Sequence, residues 1–186
     1  MGNIYSIHQK PPEEEQQISV VSSGPYPAIE VERENPRYAI MLMQDMASQK
    51  GEMTSIYQYL YENWVLEEVY QKISKLLKRI AAVEMHHLDI LGQLVVLLGG
   101  DPKCLADPRN RNTEWQGNMI SYRNKLAPML SRNIMLEEAA VHTYTSQAEY
   151  VKDSKLSAIL FRIAEDEKLH LHIFKELFSQ LPEHCA

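Results

Sequence analysis

Cysteine is nearly absent from this chain of 186 residues: Cys104 and Cys185 are the only two, far apart and without a C-x-x-C pair. That excludes a four-cysteine iron centre or a zinc ribbon built from this chain. It also suits a reducing, cytoplasmic setting, where free thiols need no partner. Glycine is scarce at seven residues and phenylalanine at three, which with nine methionines and long mixed charged and apolar runs disfavours sheets. No run of apolar residues reaches the ~18 expected of a membrane span, and no charged-then-apolar leader opens the chain. Excess positive charge is missing as well: the formal net charge is −6, so a general nucleic-acid binder is not expected. Met1-Gly2-Asn3-Ile4-Tyr5-Ser6 fits the loose pattern for N-myristoylation, but nothing else supports a lipid anchor and none is expected.

What is present is a repeated pattern. Residues 80–91 and 163–174 both read I-A-x-x-E-x-x-H-x-x-I-(L/F), with Glu84 and His87 in the first and Glu167 and His170 in the second. Positions three apart share a helix face, so each stretch aims a carboxylate and an imidazole the same way. Chance spacing alone gives about 0.7 E-x-x-H pairs at this composition, so the weight lies in the shared flanks and in two upstream partners. Glu52 to Tyr59 and Glu137 to Tyr144 both read E-x-x-small-aliphatic-x-x-Y. The chain is thus two copies of one helix-pair unit about 85 residues apart.

Residues 1–36, with five prolines and no helical period, read as an extended or disordered arm. Four helices are expected over about 37–63, 66–98, 124–151 and 154–181, each roughly 40–50 Å long, followed by a tail, 182–186. Short joints make two antiparallel hairpins, and residues 99 to about 124 form a long crossover between helices two and three. The expected fold is therefore all-α, one domain over 37–181, a four-helix bundle with a crossover.

The carboxylates fall on the wrong face for solvation. Val69, Ile73, Leu76 and Ile80 lead into Glu84 and His87, and Leu156, Ile159 and Ile163 lead into Glu167 and His170. Leu130 and Ile134 lead into Glu137. The stripe on helix one is less clean, with Asp45 and Ser48 before Glu52, Ile56 and Tyr59. Four buried carboxylates would repel, and no Lys or Arg sits beside them on these stripes, so two divalent cations are the expected neutralisers. Glu138 competes with Glu137; register and stripe favour Glu137. Tyr59 and Tyr144 are candidates to orient carboxylates or simple core tyrosines. His86, His142, His172 and Glu165 fall off the ligand face.

The set Glu52, Glu84-x-x-His87, Glu137, Glu167-x-x-His170 resembles the ferritin-like superfamily of di-iron carboxylate proteins, which includes bacterioferritin, rubrerythrin and, more distantly, manganese catalase. The resemblance covers residues 37–181. It implies terminal roles for Glu52 and Glu137, bridging roles for Glu84 and Glu167, and one metal each for His87 and His170. Met85 stands where bacterioferritin has its haem-ligating methionine; a core or interface methionine is expected instead, and haem is not. Arg79, Ile80 and Val83 replace further metal-binding residues of bacterioferritin, which disfavours an iron-storing shell. The implied activity is a di-iron oxidoreductase that binds Fe(II) and reacts it with O2 or hydrogen peroxide. A separate electron-donor protein would replace the missing cysteine centre, and a homodimer is expected. The alternatives are a dimanganese catalase and a structural or coat-type bundle with a vestigial site.

Overall fold

The structure is a computed structural model that describes residues 18–107, 109 and 113–181. The myristoylation-like start, the first part of the arm, Cys185 and the expected tail lie outside the described residues.

Among the described residues five α-helices build the bundle: α1 (Pro36–Ala47), α2 (Glu52–Leu66), α3 (Gln71–Leu97), α4 (Leu126–Tyr150) and α5 (Ser154–Ser179). The unbroken first helix expected over 37–63 is instead two, α1 and α2, separated at residues 48–51. The cause is local. Ser48 leaves helical geometry at the end of α1, its carbonyl accepts from the Thr54 hydroxyl at 2.9 Å, and Gly51 caps α2. A Cβ at Gly51 would collide with the Asp45 carbonyl oxygen, so only glycine allows the chain to double back so closely. The other three rods appear where expected, with α3 starting five residues later than the sequence suggests, at Gln71.

The ends are set by capping. Asn35 accepts from the Arg37 and Tyr38 amides with Pro36 in the first turn of α1, and Asp153 accepts from the Lys155 and Leu156 amides at the head of α5. Gly99, at φ +81°, ends α3 in the left-handed conformation, and the next amide returns to the Val95 carbonyl at 2.8 Å. By length and composition α3 could cross a membrane, with a mean hydropathy of 1.4 over its most apolar window. Half of that window is buried inside the bundle, and Glu84 and His87 lie within the helix, as befits a core helix.

The pairs α2·α3 and α4·α5 form hairpins, with α1 continuing along α3. The crossover runs back along α2. Gln58 bonds both the amide and the carbonyl of Ser121, at 2.7 and 2.9 Å, and the Trp115 indole donates to Thr54 at 3.0 Å. Two apolar clusters fill the interior. One gathers Leu42, Met46, Leu91, Leu94, Leu156 and Ile163; the other gathers Leu77, Ile80, Leu126, Leu130 and Phe174. Glu84 and His87 on α3, and Glu167 and His170 on α5, lie between the two clusters, so the candidate site is a belt across the middle of the core.

Candidate metal centre

All six candidate ligands come together in that belt, each at most 4% exposed. Glu84 and Glu167 each reach both imidazoles. His87 Nδ1 lies 3.0 Å from Glu84 Oε2 and 3.0 Å from Glu167 Oε1, while His170 Nδ1 lies 3.1 Å from Glu84 Oε1 and 3.6 Å from Glu167 Oε2. Donor atoms of Glu52, Glu84, His87 and Glu167 lie within 4.8 Å of one another, and so do those of Glu84, Glu137, Glu167 and His170. The two groups share Glu84 and Glu167. Two four-donor pockets with two carboxylates in common are the geometry of a pair of adjacent cations.

The donor set also fits cations by what it leaves unsatisfied. Glu84 Oε1, Glu167 Oε1 and His170 Nδ1 are buried without a well-aligned hydrogen bond, a costly state unless something binds there. The remaining carboxylates are held by phenols from the opposite half: Tyr59 donates to Glu137, and Tyr144 donates to Glu52. Oxygen-rich ligation with two imidazoles suits iron or manganese better than copper or zinc.

Electrostatics describe the protein before a metal enters. Burial and then the charges of Glu167 and Glu84 push the Glu52 and Glu137 carboxyls well above the ordinary range. Burial acts against protonation of His87 and His170, but it is outweighed. The carboxylates of Glu167 and Glu84 and the hydrogen bonds around the rings raise both imidazoles. Glu167 moves down despite its burial, held anionic by His87 and His170. The belt therefore balances its charge with protons, which arriving cations displace.

A sequence model of the rubrerythrin family matches residues 46–178 of this chain, every one of the six candidate ligands included. The chain belongs to the rubrerythrin family. A probable manganese catalase from Clostridium acetobutylicum is 22% identical over 171 residues, covering 82% of this chain and 75% of the relative. The bacterioferritin of Desulfovibrio desulfuricans is 24% identical over 135 residues, 70% of this chain and 69% of the relative. Among solved structures, a manganese catalase from Anabaena PCC7120 superposes with a TM-score of 0.73 at 21% identity, covering 86% of this chain and 80% of that one. The ferritin-like fold follows from these likenesses, as does a rubrerythrin-family di-metal site homologous to those of manganese catalase and bacterioferritin.

The off-face residues of this rubrerythrin-family chain are solvent-facing. Glu138 pairs with Lys175 at 2.8 Å on the surface, and His86, His142, His172 and Glu165 are exposed. Met85 is 46% exposed, so it is not a core residue of the chain. Sequence reasoning missed an outer ring of partners. His87 Nε2 faces Asp166 Oδ2 at 3.3 Å and the Tyr26 hydroxyl at 3.2 Å, and Tyr26 donates to Asp166. Four contacts hold Asp166 well down, at about 2, against the effect of its burial: His87, Tyr26, Arg162 and the Ser22 amide. The one available signal was the sequence E-D-E at 165–167 against A-V-E at 82–84 in the other repeat.

Proposed function

We propose that this chain is a di-iron oxidoreductase of the ferroxidase or peroxidase type, binding Fe(II) in the cytoplasm and reacting it with O2 or hydrogen peroxide. The observation that carries this reading is the belt of four carboxylates and two imidazoles with unsatisfied atoms turned toward one another. In it Glu52 and His87 would hold one ion, Glu137 and His170 the other, and Glu84 and Glu167 would be shared.

Two adjacent redox ions held there would supply a two-electron exchange with a small oxidant. The chain's own residues set the terms. Tyr59 and Tyr144 fix the terminal carboxylates by hydrogen bonds from opposite sides. Each imidazole presents Nδ1 inward and commits Nε2 to an outer acceptor. The apolar clusters above and below exclude bulk water, and full burial of the ligands limits the oxidant to something of the size of O2 or peroxide.

A second reading, a dimanganese catalase, is favoured by the length of the likeness to a probable manganese catalase and by the cysteine count. Peroxide serves as both oxidant and reductant in that reaction, so no electron-donor protein is required. The iron reading needs such a donor. A homodimer suits either, with Trp64, Val65 and Val69 exposed around the end of α2; sedimentation velocity measures it.

The test is metal content per chain after anaerobic loading with Fe(II) or Mn(II), followed by two assays. Two ions per chain with rapid Fe(II) oxidation supports the first reading. Oxygen release from peroxide by the manganese form supports the second. Absence of stoichiometric metal under every loading leaves only a structural bundle.

A further inference from the structure

The two halves of the site are not equally supplied. Aligning the repeats places Asp166 opposite Val83 and Arg162 opposite Arg79. His87 on α3 finds its outer acceptor in Asp166 of α5. By the same symmetry His170 would look to residue 83, and a valine offers nothing. The N-terminal segment fills the gap: the Val20 carbonyl lies 2.9 Å from His170 Nε2. A carbonyl only accepts, so Nε2 must carry a proton, and that leaves Nδ1, which faces the carboxylates, as the nitrogen whose proton a cation displaces.

The same segment also serves the other imidazole. Its Tyr26 hydroxyl sits 3.2 Å from His87 Nε2, and its Ser22 amide donates to Asp166 at 2.6 Å. One side chain ties the segment down. Arg162 pairs with Asp166 at 2.7 Å, donates to the carbonyls of Ser22 at 3.1 Å and Gly24 at 3.4 Å, and lies 4.1 Å from the centre of the Tyr26 ring. The contacts of Arg162 with residues 22–26 span more than 130 residues of sequence, so they do not arise from local chain geometry.

We propose that residues 20–26 are a built part of the metal centre: a strap, fastened by Arg162, that sets the proton position on both ligand imidazoles and so fixes Nδ1 as the metal-binding atom. Val20 and Tyr26 are positioning residues, acting through His170 and His87. The inference rests on the di-metal reading above.

The experiment uses full-length protein loaded with Zn(II), a redox-silent probe, and reads two quantities. One is affinity for each Zn(II) by chelator competition; the other is the Nε2 proton of His87 and His170 by 15N NMR. In the unaltered chain, two Zn(II) bind and both Nε2 protons are protected from solvent exchange. Arg162→Met releases the strap: the His170 proton, which Arg162 does not touch, becomes fast-exchanging, and Zn(II) binds roughly 10- to 100-fold more weakly. Tyr26→Phe keeps the ring and the fold, and it loosens the His87 proton with a smaller loss, because Asp166 remains. Unchanged affinity and a protected His170 proton in Arg162→Met would overturn the strap while leaving the metal centre standing. An unaltered chain that fails to bind two Zn(II) overturns both.

Discussion

Residues 52–87 and 137–170 place a carboxylate, a phenol and a Glu-x-x-His pair at matching positions, yet the first half reaches them through a broken helix and the second through a continuous one. The break at 48–51 puts Glu52 at the very start of α2, whereas Glu137 sits mid-way along α4. Buried polar pairs echo the same near-symmetry. Gln147 donates to Asp45 at 2.9 Å on one side, and Asn133 donates to Glu62 at 2.6 Å on the other. In each pair one partner is an amide and the other a carboxyl, but the carboxyl always comes from the first half. The six candidate ligands show no such drift between the halves. A duplicated unit can thus keep its donors fixed while the backbone and the outer partners that hold them diverge.

The largest expected effect removes what the halves share. Glu84→Ala or Glu167→Ala is expected to abolish binding of both metals, not one, because each carboxylate reaches both imidazoles; metal analysis after loading checks it. Next comes the polar pairing. Burial lifts the Asp45 and Glu62 carboxyls to about 7, against the pull of the amide hydrogen bonds. A folded-state pKa above the unfolded one gives stability that is present below about pH 4 and is lost as pH rises through 7. Metal-free protein should therefore weaken in urea between pH 5 and pH 8. Glu52 and Glu137 share that sign, so variants isolate the pairs: Asp45→Asn and Glu62→Gln should each recover at least ~1 kcal/mol at pH 8 relative to pH 5.

The phenols test whether the halves are equivalent. Tyr59→Phe and Tyr144→Phe each leave a buried carboxylate short of one donor, at a cost of about 1–3 kcal/mol. Equal losses of metal affinity by chelator competition would show that the helix break does not weaken the Glu52 side. Adding a carboxylate sharpens the comparison further. Val83→Asp in the Arg162→Met background offers His170 the partner that Asp166 gives His87, and it should recover up to about tenfold in Zn(II) affinity. The smallest effect belongs to Glu138→Ala, which breaks only an exposed pair with Lys175; metal binding should not change, and thermal unfolding should show less than about 0.5 kcal/mol.

Much of this was legible in the residues. Six donors on apolar stripes have no comfortable alternative, so Glu52, Glu84, His87, Glu137, Glu167 and His170 stood out, and Gly99-Gly100 marked the crossover. The helix break left only a faint trace in the untidy stripe around Asp45 and Ser48. Its decisive element, the close approach of Gly51 to a carbonyl, is tertiary. The strap was invisible for a deeper reason. Val20 acts through its backbone oxygen, which every residue type has, so no pattern of side chains could mark it. Arg162 and Asp166 stand four apart on one helix and pair with each other, and their further partners, residues 22–26 and His87, are distant in sequence.

The exchange of phenols between halves has a consequence for how the centre comes into being. Tyr59 and Glu137 are 78 residues apart, and Tyr144 and Glu52 are 92 apart. Each hairpin can zip from short-range contacts, but neither owns a finished half-site, since its own tyrosine serves the other's glutamate. The centre is therefore complete only when both halves are in place, a handshake between two arms, and cation capture should report that the whole chain has closed correctly. A polypeptide halted at the crossover would carry Glu52, Glu84 and His87 and still have no phenol to hold its terminal carboxylate.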